Sequence, residues 1–216
     1  AVALRQDGRL LATCSGQRVD IWNVEAGNVM VCLPAHGRLV KGMTIGQRGE
    51  TLATWGADGA TRVWSLPEGR PLGTVEGDES GVTTVALSPD ESQLAIAHGD
   101  HYVRVFSLPE GELLAELPGD GQPVRALAFR PDGDVLAVSG HNHRIRLFTI
   151  PDGDPLGIVE GYAGAHTMAW NSMGQLLAVA GEGKRNAKIW FPAAPALTED
   201  TVQTARPEEI AWAQRL

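Results

Sequence analysis

The chain repeats itself. Aromatic residues stand at Trp22, Trp64, Phe106, Phe148 and Trp190, each 42 positions after the last. Leu-Ala pairs keep nearly the same step, at Leu11-Ala12, Leu52-Ala53, Leu94-Ala95, Leu136-Ala137 and Leu177-Ala178, and glycines recur at Gly27, Gly69, Gly111 and Gly153. The segment Ser65-Leu66-Pro67-Glu68-Gly69 returns letter for letter as Ser107-Leu108-Pro109-Glu110-Gly111. A fixed period of this length marks a stack of equivalent supersecondary units, and it constrains the fold more than any single motif.

Within each unit, short runs alternate apolar and polar residues, are rich in β-branched and aromatic side chains, and are broken by Gly, Pro, Asp and Asn. Four strands, a to d, fit per unit. In the third they are expected near 82–88, 93–97, 102–108 and 112–117. Pro89-Asp90-Glu91 and Pro131-Asp132-Gly133 are the a–b turns, and the Pro-Glu-Gly segments are the c–d turns, where Pro presets φ and Gly supplies a positive φ. No run of ten residues carries a 3.6-residue apolar period, so an all-β fold is predicted.

A four-stranded unit cannot bury both of its faces alone and must stack on its neighbours; radial stacking gives a propeller. On these residues the chain resembles the WD-repeat β-propeller family, in a degenerate form, over essentially its whole length. The units run approximately over 1–42, 43–84, 85–126, 127–168 and 169–207, with 208–216 starting another, because Met168-Ala169-Trp170 lies 42 residues before Ile210-Ala211-Trp212. Five four-stranded blades and the first strand of a sixth are expected, as one incomplete domain over 1–216, an arc of a seven-bladed ring. The alternative is a closed five-bladed ring with the segment from 192 onward as a tail.

The resemblance implies a buried hydrogen-bond network in the one unit that keeps its members: His36, Thr54 or a neighbouring hydroxyl, Asp58 and Trp64. Asp100 and Asn142 hold the corresponding b–c turn positions. It also implies a partner face, formed by the residue after the first Val of strand a and the residue before the b–c Asp. Carried over, these are Lys41, Thr83, Arg125 and Thr167, with Ala57, Gly99 and His141; His36 and Asp120 complete a mixed-charge rim. All six histidines map to this same end: His36 and His166 at the entry to strand a, and His98, His101, His141 and His143 in b–c turns. The opposite end collects Asp7, Glu50, Glu68, Asp90, Glu91, Glu110, Asp132 and Asp152, among others, and is expected to be negative.

Composition limits the partners. Among 216 residues, 18 Lys and Arg face 26 Asp and Glu, giving a formal charge of −8, which disfavours nucleic-acid backbones and anionic lipid. No apolar run approaches the roughly 18 residues of a membrane-spanning helix. Cys14 falls on strand b and Cys32 on strand d of one unit, about 9–10 Å apart at two strand spacings, beyond the roughly 7 Å that a disulfide tolerates. Free thiols and a cytoplasmic setting follow as expectations.

Catalytic signatures are missing. No Gly-x-Ser-x-Gly, Cys-x-x-Cys or His-Glu-x-x-His pattern occurs, and Gly181-Glu182-Gly183-Lys184-Arg185 lacks the spacing and the hydroxyl of a phosphate loop. No metal site or cofactor is expected. The reading is a non-catalytic protein–protein interaction scaffold. Its rivals are a propeller enzyme of lactonase or peptidase-associated type, binding a small molecule or metal at the central channel, and a sensory or docking module of a larger signalling protein.

Overall fold

A computed structural model of the chain describes residues 1–77, 81–141, 144–160, 165–181 and 187–190. Alternation of side chains across each short run produces strands, and the turn residues between them close antiparallel hairpins. The first sheet holds β1 (Val2–Leu4), β2 (Leu10–Ser15), β3 (Arg18–Asn23) and β4 (Asn28–Leu33). The second holds β5 (Val40–Ile45), β6 (Thr51–Gly56), β7 (Thr61–Ser65) and β8 (Pro71–Val75). The third holds β9 (Val82–Leu87), β10 (Gln93–His98), β11 (Val103–Ser107) and β12 (Leu113–Leu117). The fourth holds β13 (Val124–Phe129), β14 (Val135–Gly140), β15 (Arg144–Thr149) and β16 (Pro155–Glu160), and the fifth β17 (Ala165–Trp170), β18 (Leu177–Gly181) and β19 (Ala187–Trp190). Each is a meander of neighbouring strands. The described residues contain no helix.

The first strands β1, β5, β9, β13 and β17 lie against one another in that order, so strand a is innermost and strand d outermost, the arrangement of a β-propeller. The sheets begin and end in the d–a connections; the equal 42-residue units used in counting cut through each first strand. The expected d strand of the fifth unit and the opening strand of a sixth, at 208–216, lie outside the described residues.

Register explains the Leu-Ala column. Because successive strand residues point to opposite faces, each pair sends Leu toward the preceding sheet and Ala toward the next. Ala12, Ile21 and Leu33 of sheet 1 pack with Leu52 and Trp64 of sheet 2. Ala53 and Val63 meet Leu94 and Ile96, Ala95 and Val105 meet Leu136 and Phe148, and Ala137 and Leu147 meet Leu177 and Val179. Four successive interfaces are therefore copies. Leu136→Ala, at a fully buried position, is expected to lower stability by about 2–5 kcal/mol in chemical denaturation.

Turn chemistry also repeats. Gly27, Gly69, Gly111 and Gly153 all adopt positive φ at the c–d turn, as the sequence requires. Gly77 and Gly119 serve a different need: a Cβ on either would overlap the carbonyl oxygen of Gly59 or His101, in the b–c turn of the same sheet. The equivalent position in the preceding connection is Ala35, which is buried without distortion. Gly119→Ala is therefore expected to depress the melting temperature by several degrees, whereas Ala35→Gly costs far less. Thermal unfolding of the two variants side by side checks the contrast.

Candidate partner-binding rim

The rim is built from the d–a connections, the start of each strand a and the b–c turns. Its best-ordered part surrounds His36, which is buried where the chain enters sheet 2. His36 Nδ1 lies 2.9 Å from Asp58 Oδ1, and its Nε2 lies 3.0 Å from Thr54 Oγ1. Trp64 donates its indole N–H to Thr54 Oγ1 at 3.1 Å. Trp64 N–H thus reaches Thr54, whose hydroxyl sits against His36 Nε2, while His36 Nδ1 faces both Asp58 and, at 2.6 Å, Arg62 Nη1. Burial lowers the pKa of His36 below its usual range, against the opposing pull of Asp58, while the nearby Arg62 further disfavours the imidazolium.

Asp58 is the acceptor on which this turn converges. Arg62 Nη1 reaches its Oδ2 at 2.9 Å and Gly37 N–H at 3.1 Å. Burial alone would raise its pKa, but the hydrogen bonds from His36, Arg62 and Gly37 prevail and hold it at about 2. The same Asp–Arg step recurs in sheet 3, where Arg104 Nη2 bonds Asp100 at 2.7 Å and its Nε bonds Glu116 at 2.8 Å. In sheet 4, Arg146 lies over the Phe148 ring, bonds the Pro118 carbonyl oxygen and faces Asp120 at 3.9 Å. Sheet 1 keeps the indole half alone, Trp22 Nε1 to Thr13 Oγ1 at 2.9 Å. Arg62, Arg104 and Arg146, each two residues before the aromatic of its sheet, thus tie down carboxylates and connections.

The sequence-derived rim residues are placed as follows. Lys41 and Thr83 are exposed at the start of β5 and β9, and Arg125 is half-buried on β13. Each is the extra residue of a β-bulge, since Val40, Val82 and Val124 pair with Gly56, His98 and Gly140 while the next rung skips one position. In sheet 5 the skipped residue is His166, between the pairs Ala165–Gly181 and Thr167–Ala180. The column therefore runs Lys41, Thr83, Arg125, His166, and Thr167 takes a regular ladder position. The step from Leu136 to Leu177 is 41 residues, not 42; that lost residue shifts strand a of sheet 5 and was visible in the sequence.

Arg125 links two sheets. Its Nε lies 2.5 Å from His141 Nε2 in the b–c turn of its own sheet, and its Nη1 lies 2.6 Å from His166 Nδ1 in the next. His141 and His166 are exposed. This cluster was not assembled from sequence, where the three residues were named separately. Ala57 and Gly99 are half-buried in their turns, and Asn142 and His143 lie outside the described residues. Among the described residues no three His, Cys, Asp or Glu side chains gather as a metal-holding group. Cys14 and Cys32 are both free thiols; a side-chain contact with Asp20 raises the pKa of Cys32.

At the opposite end several acids are consumed by structure. Asp7, Asp90 and Asp132 each accept a backbone N–H two residues on, and Asp7 and Asp132 also pair with Arg5 and Arg130. Glu91 is buried and bonds Gly49 N–H at 2.9 Å in the a–b turn of the preceding sheet. Beside these turns, the innermost strands of sheets 2–5 border a cleft of about 300 Å³ lined by Thr44, Ile45, Val85, Leu127, Phe129 and Trp170, among others.

With this geometry in hand, two family models match the chain. The model for "WD domain, G-beta repeat" matches residues 69–107, from the c–d turn of sheet 2 to strand c of sheet 3. The model for "Anaphase-promoting complex subunit 4 WD40 domain" matches residues 116–171, spanning sheet 4 and the first strand of sheet 5. This is a WD-repeat protein. No curated protein matches the chain in sequence.

In this WD-repeat chain the His36–Asp58 pair should be visible in acid. An ordinary Asp has a pKa of 3.8, and Asp58 is held at about 2. A carboxyl whose pKa is lower in the folded state contributes its full stability above the unfolded value and loses it as pH falls through the folded one. Part of the stability should therefore disappear between pH 3.8 and about 2. Asp58→Asn should melt lower at neutral pH and show a flatter decline over that interval. Thr54→Val, which strands the Trp64 N–H and His36 Nε2, should cost about 1–3 kcal/mol, measured at neutral pH by denaturant titration.

Proposed function

We propose that this WD-repeat protein is a non-catalytic scaffold that binds other proteins through the rim carrying the b–c turns and the bulges of strand a. WD repeats generally mediate protein–protein interaction. The observation that carries the reading is the bulged column itself. One backbone device recurs at the same end of four consecutive sheets and bears Lys41, Thr83, Arg125 and His166, four different side chains on one frame. A bulge turns its extra residue out of the ladder, so these positions vary without disturbing the packing of either face. Asp58, Asp100 and Asp120 lie behind them, each close to its own arginine. The forward rim is then a mosaic of cationic, hydroxyl and imidazole groups, suited to a partner surface carrying carboxylates and hydrogen-bond acceptors.

The double variant Lys41→Glu with Arg125→Glu tests this. It should lose the proteins captured by the wild-type chain in a pull-down while its melting temperature stays within a few degrees. An unchanged set of captured proteins would remove the rim from the proposal.

A further inference from the structure

The arginine of strand c meets a different neighbour on strand d in each of three successive sheets. Across the c–d ladder Arg62 pairs with Thr74, Arg104 with Glu116 and Arg146 with Ile158. Arg62 and Arg104 each bond a b–c turn carboxylate, Asp58 at 2.9 Å and Asp100 at 2.7 Å, and Arg104 also takes Glu116 at 2.8 Å. In sheet 4 both acids that hold Arg104 are replaced, since the sequence has Asn142 at the turn position and Ile158 on strand d. Arg146 bonds the Pro118 carbonyl oxygen, and its carboxylate neighbour, Asp120, stands at 3.9 Å. It is nonetheless the most enclosed of the three, its side chain 14% exposed against 26% for Arg62 and 24% for Arg104. Burial pulls the pKa of Arg146 down against the charge of Asp120, whereas the hydrogen bonds to Asp100 and Glu116 raise that of Arg104. An enclosed guanidinium held at this distance from its counter-charge gains from a carboxylate that bonds it directly.

The same arginine borders a groove of about 370 Å³ on the outer wall, between the connection that leaves sheet 3 and the outer strands of sheet 4. Pro118 and Gly119 form one side, and Pro155, Leu156 and Ile158 of β16 the other. The Phe148 ring lies 5.5 Å from the guanidinium. Leu156 and Ile158 are 54% and 49% exposed. Leu156 is the extra residue of a bulge, because the ladder steps from Leu147–Gly157 to Phe148–Pro155. β16 is the outermost strand of its sheet, so the groove opens sideways, with room for a few side chains and not for a folded surface. We infer that it receives an extended peptide segment of another protein, whose Asp or Glu pairs with Arg146 while an adjacent apolar side chain lies on Leu156 and Ile158. The missing acid of strand d sets the charge of the occupant, and the leucine and isoleucine set its apolar part. None of the bulged residues Lys41, Thr83, Arg125 and His166 lines the groove, so it is a second binding site beside the rim.

A library of random dodecapeptides displayed on phage, selected on the immobilised chain, supplies the probe. Ile158→Glu gives Arg146 the carboxylate that Arg104 already has, at an exposed position that spares the core. Leu156→Ser removes part of the apolar wall and leaves Arg146 as it is, and circular dichroism checks that both variants keep their sheets. Among the selected peptides a class is expected that Ile158→Glu binds at least about tenfold more weakly in fluorescence anisotropy. Its members should carry Asp or Glu within two positions of Leu, Ile, Val or Phe, lose a similar factor when that acid is changed to its amide, and bind Leu156→Ser about threefold more weakly. The inference is overturned if every selected peptide binds Ile158→Glu as well as the wild type, or if the sensitive peptides need no acid or ignore Leu156→Ser. It is overturned equally if no peptide is selected, whether the groove then takes free hexanoate, a second copy of the chain or nothing.

Discussion

Every sheet in this protein has two apolar faces, and that constraint governs the rest. A sheet with one greasy side can lie on a layer of helices; one with two must be sandwiched. The chain meets the demand by making its faces unequal. Small residues on one side, Ala12, Ala53, Ala95 and Ala137, let the next sheet approach closely, and the space so left is filled by Leu52, Leu94, Leu136 and Leu177 together with the c-strand aromatics. Each buried Leu contributes on the order of 1.5–3 kcal/mol, and the stack as a whole is a chain of nearest-neighbour terms. The exposed residues at the b–c ends of the strands, Lys41 and Thr83 among them, take no part in these clusters and are free to differ.

The polar scaffold behind the rim is a second solution to one local problem, holding a b–c turn against the connection that leads into the sheet. In sheet 2 the problem is solved by a relay from Trp64 through Thr54 and His36 to Asp58. In sheet 3 Arg104 ties Asp100 of the b–c turn to Glu116 on β12; the connection from sheet 3 to sheet 4 rests Gly119 on the His101 carbonyl of the sheet it leaves and brings Pro118 and Asp120 to Arg146 of the sheet it enters. Arg62 takes part in sheet 2 as well. The arginine column is thus the common element, and the imidazole relay an addition in one blade. A guanidinium offers five N–H donors on a long stem, so Arg104 and Arg146 reach carboxylate and carbonyl oxygens in sheets 3 and 4, where no histidine relay is formed.

Much of this was legible before any coordinates. The period, the four strands of each unit, the Leu-Ala column and the c–d glycines follow from residue types at fixed spacing, and the four members of the relay from the resemblance to the WD-repeat family. What escaped was written in departures from the period. The column Gly8, Gly49, Gly133 and Gly174 has positive φ throughout, and its one non-glycine, Glu91, also adopts a positive φ. The strain is offset by its side chain, which leaves its own turn and bonds Gly49 N–H in the neighbouring sheet. An acid in a glycine column was the signal. The displacement of the rim column from Thr167 to His166 has the same origin, a one-residue step that alternation amplifies because a strand shifted by one position exchanges its faces. Arg125 meeting two histidines could not be read from sequence, since the bond to His166 crosses from one sheet to the next and depends on how the blades are angled.

The two ends of the propeller divide the work. At the a–b end, neighbouring turns interlock: the Arg5 side chain packs on Gly49, Glu91 bonds the same turn, Arg130 lies on Gly174, and the Trp170 indole donates to the Ala128 carbonyl oxygen. Of the acids there, Asp7, Asp90 and Asp132 cap backbone N–H groups, and Asp7 and Asp132 also pair with Arg5 and Arg130. At the b–c end the bulges of sheets 2–5 carry a different residue in each. A change at the first end alters how sheets fit together, and a change at the second alters what the surface offers. The b–c end also carries ties of its own, from His36 to Asp58 and from Arg125 to His141 and His166, so of the bulged residues Lys41 and Thr83 are the ones that stand exposed.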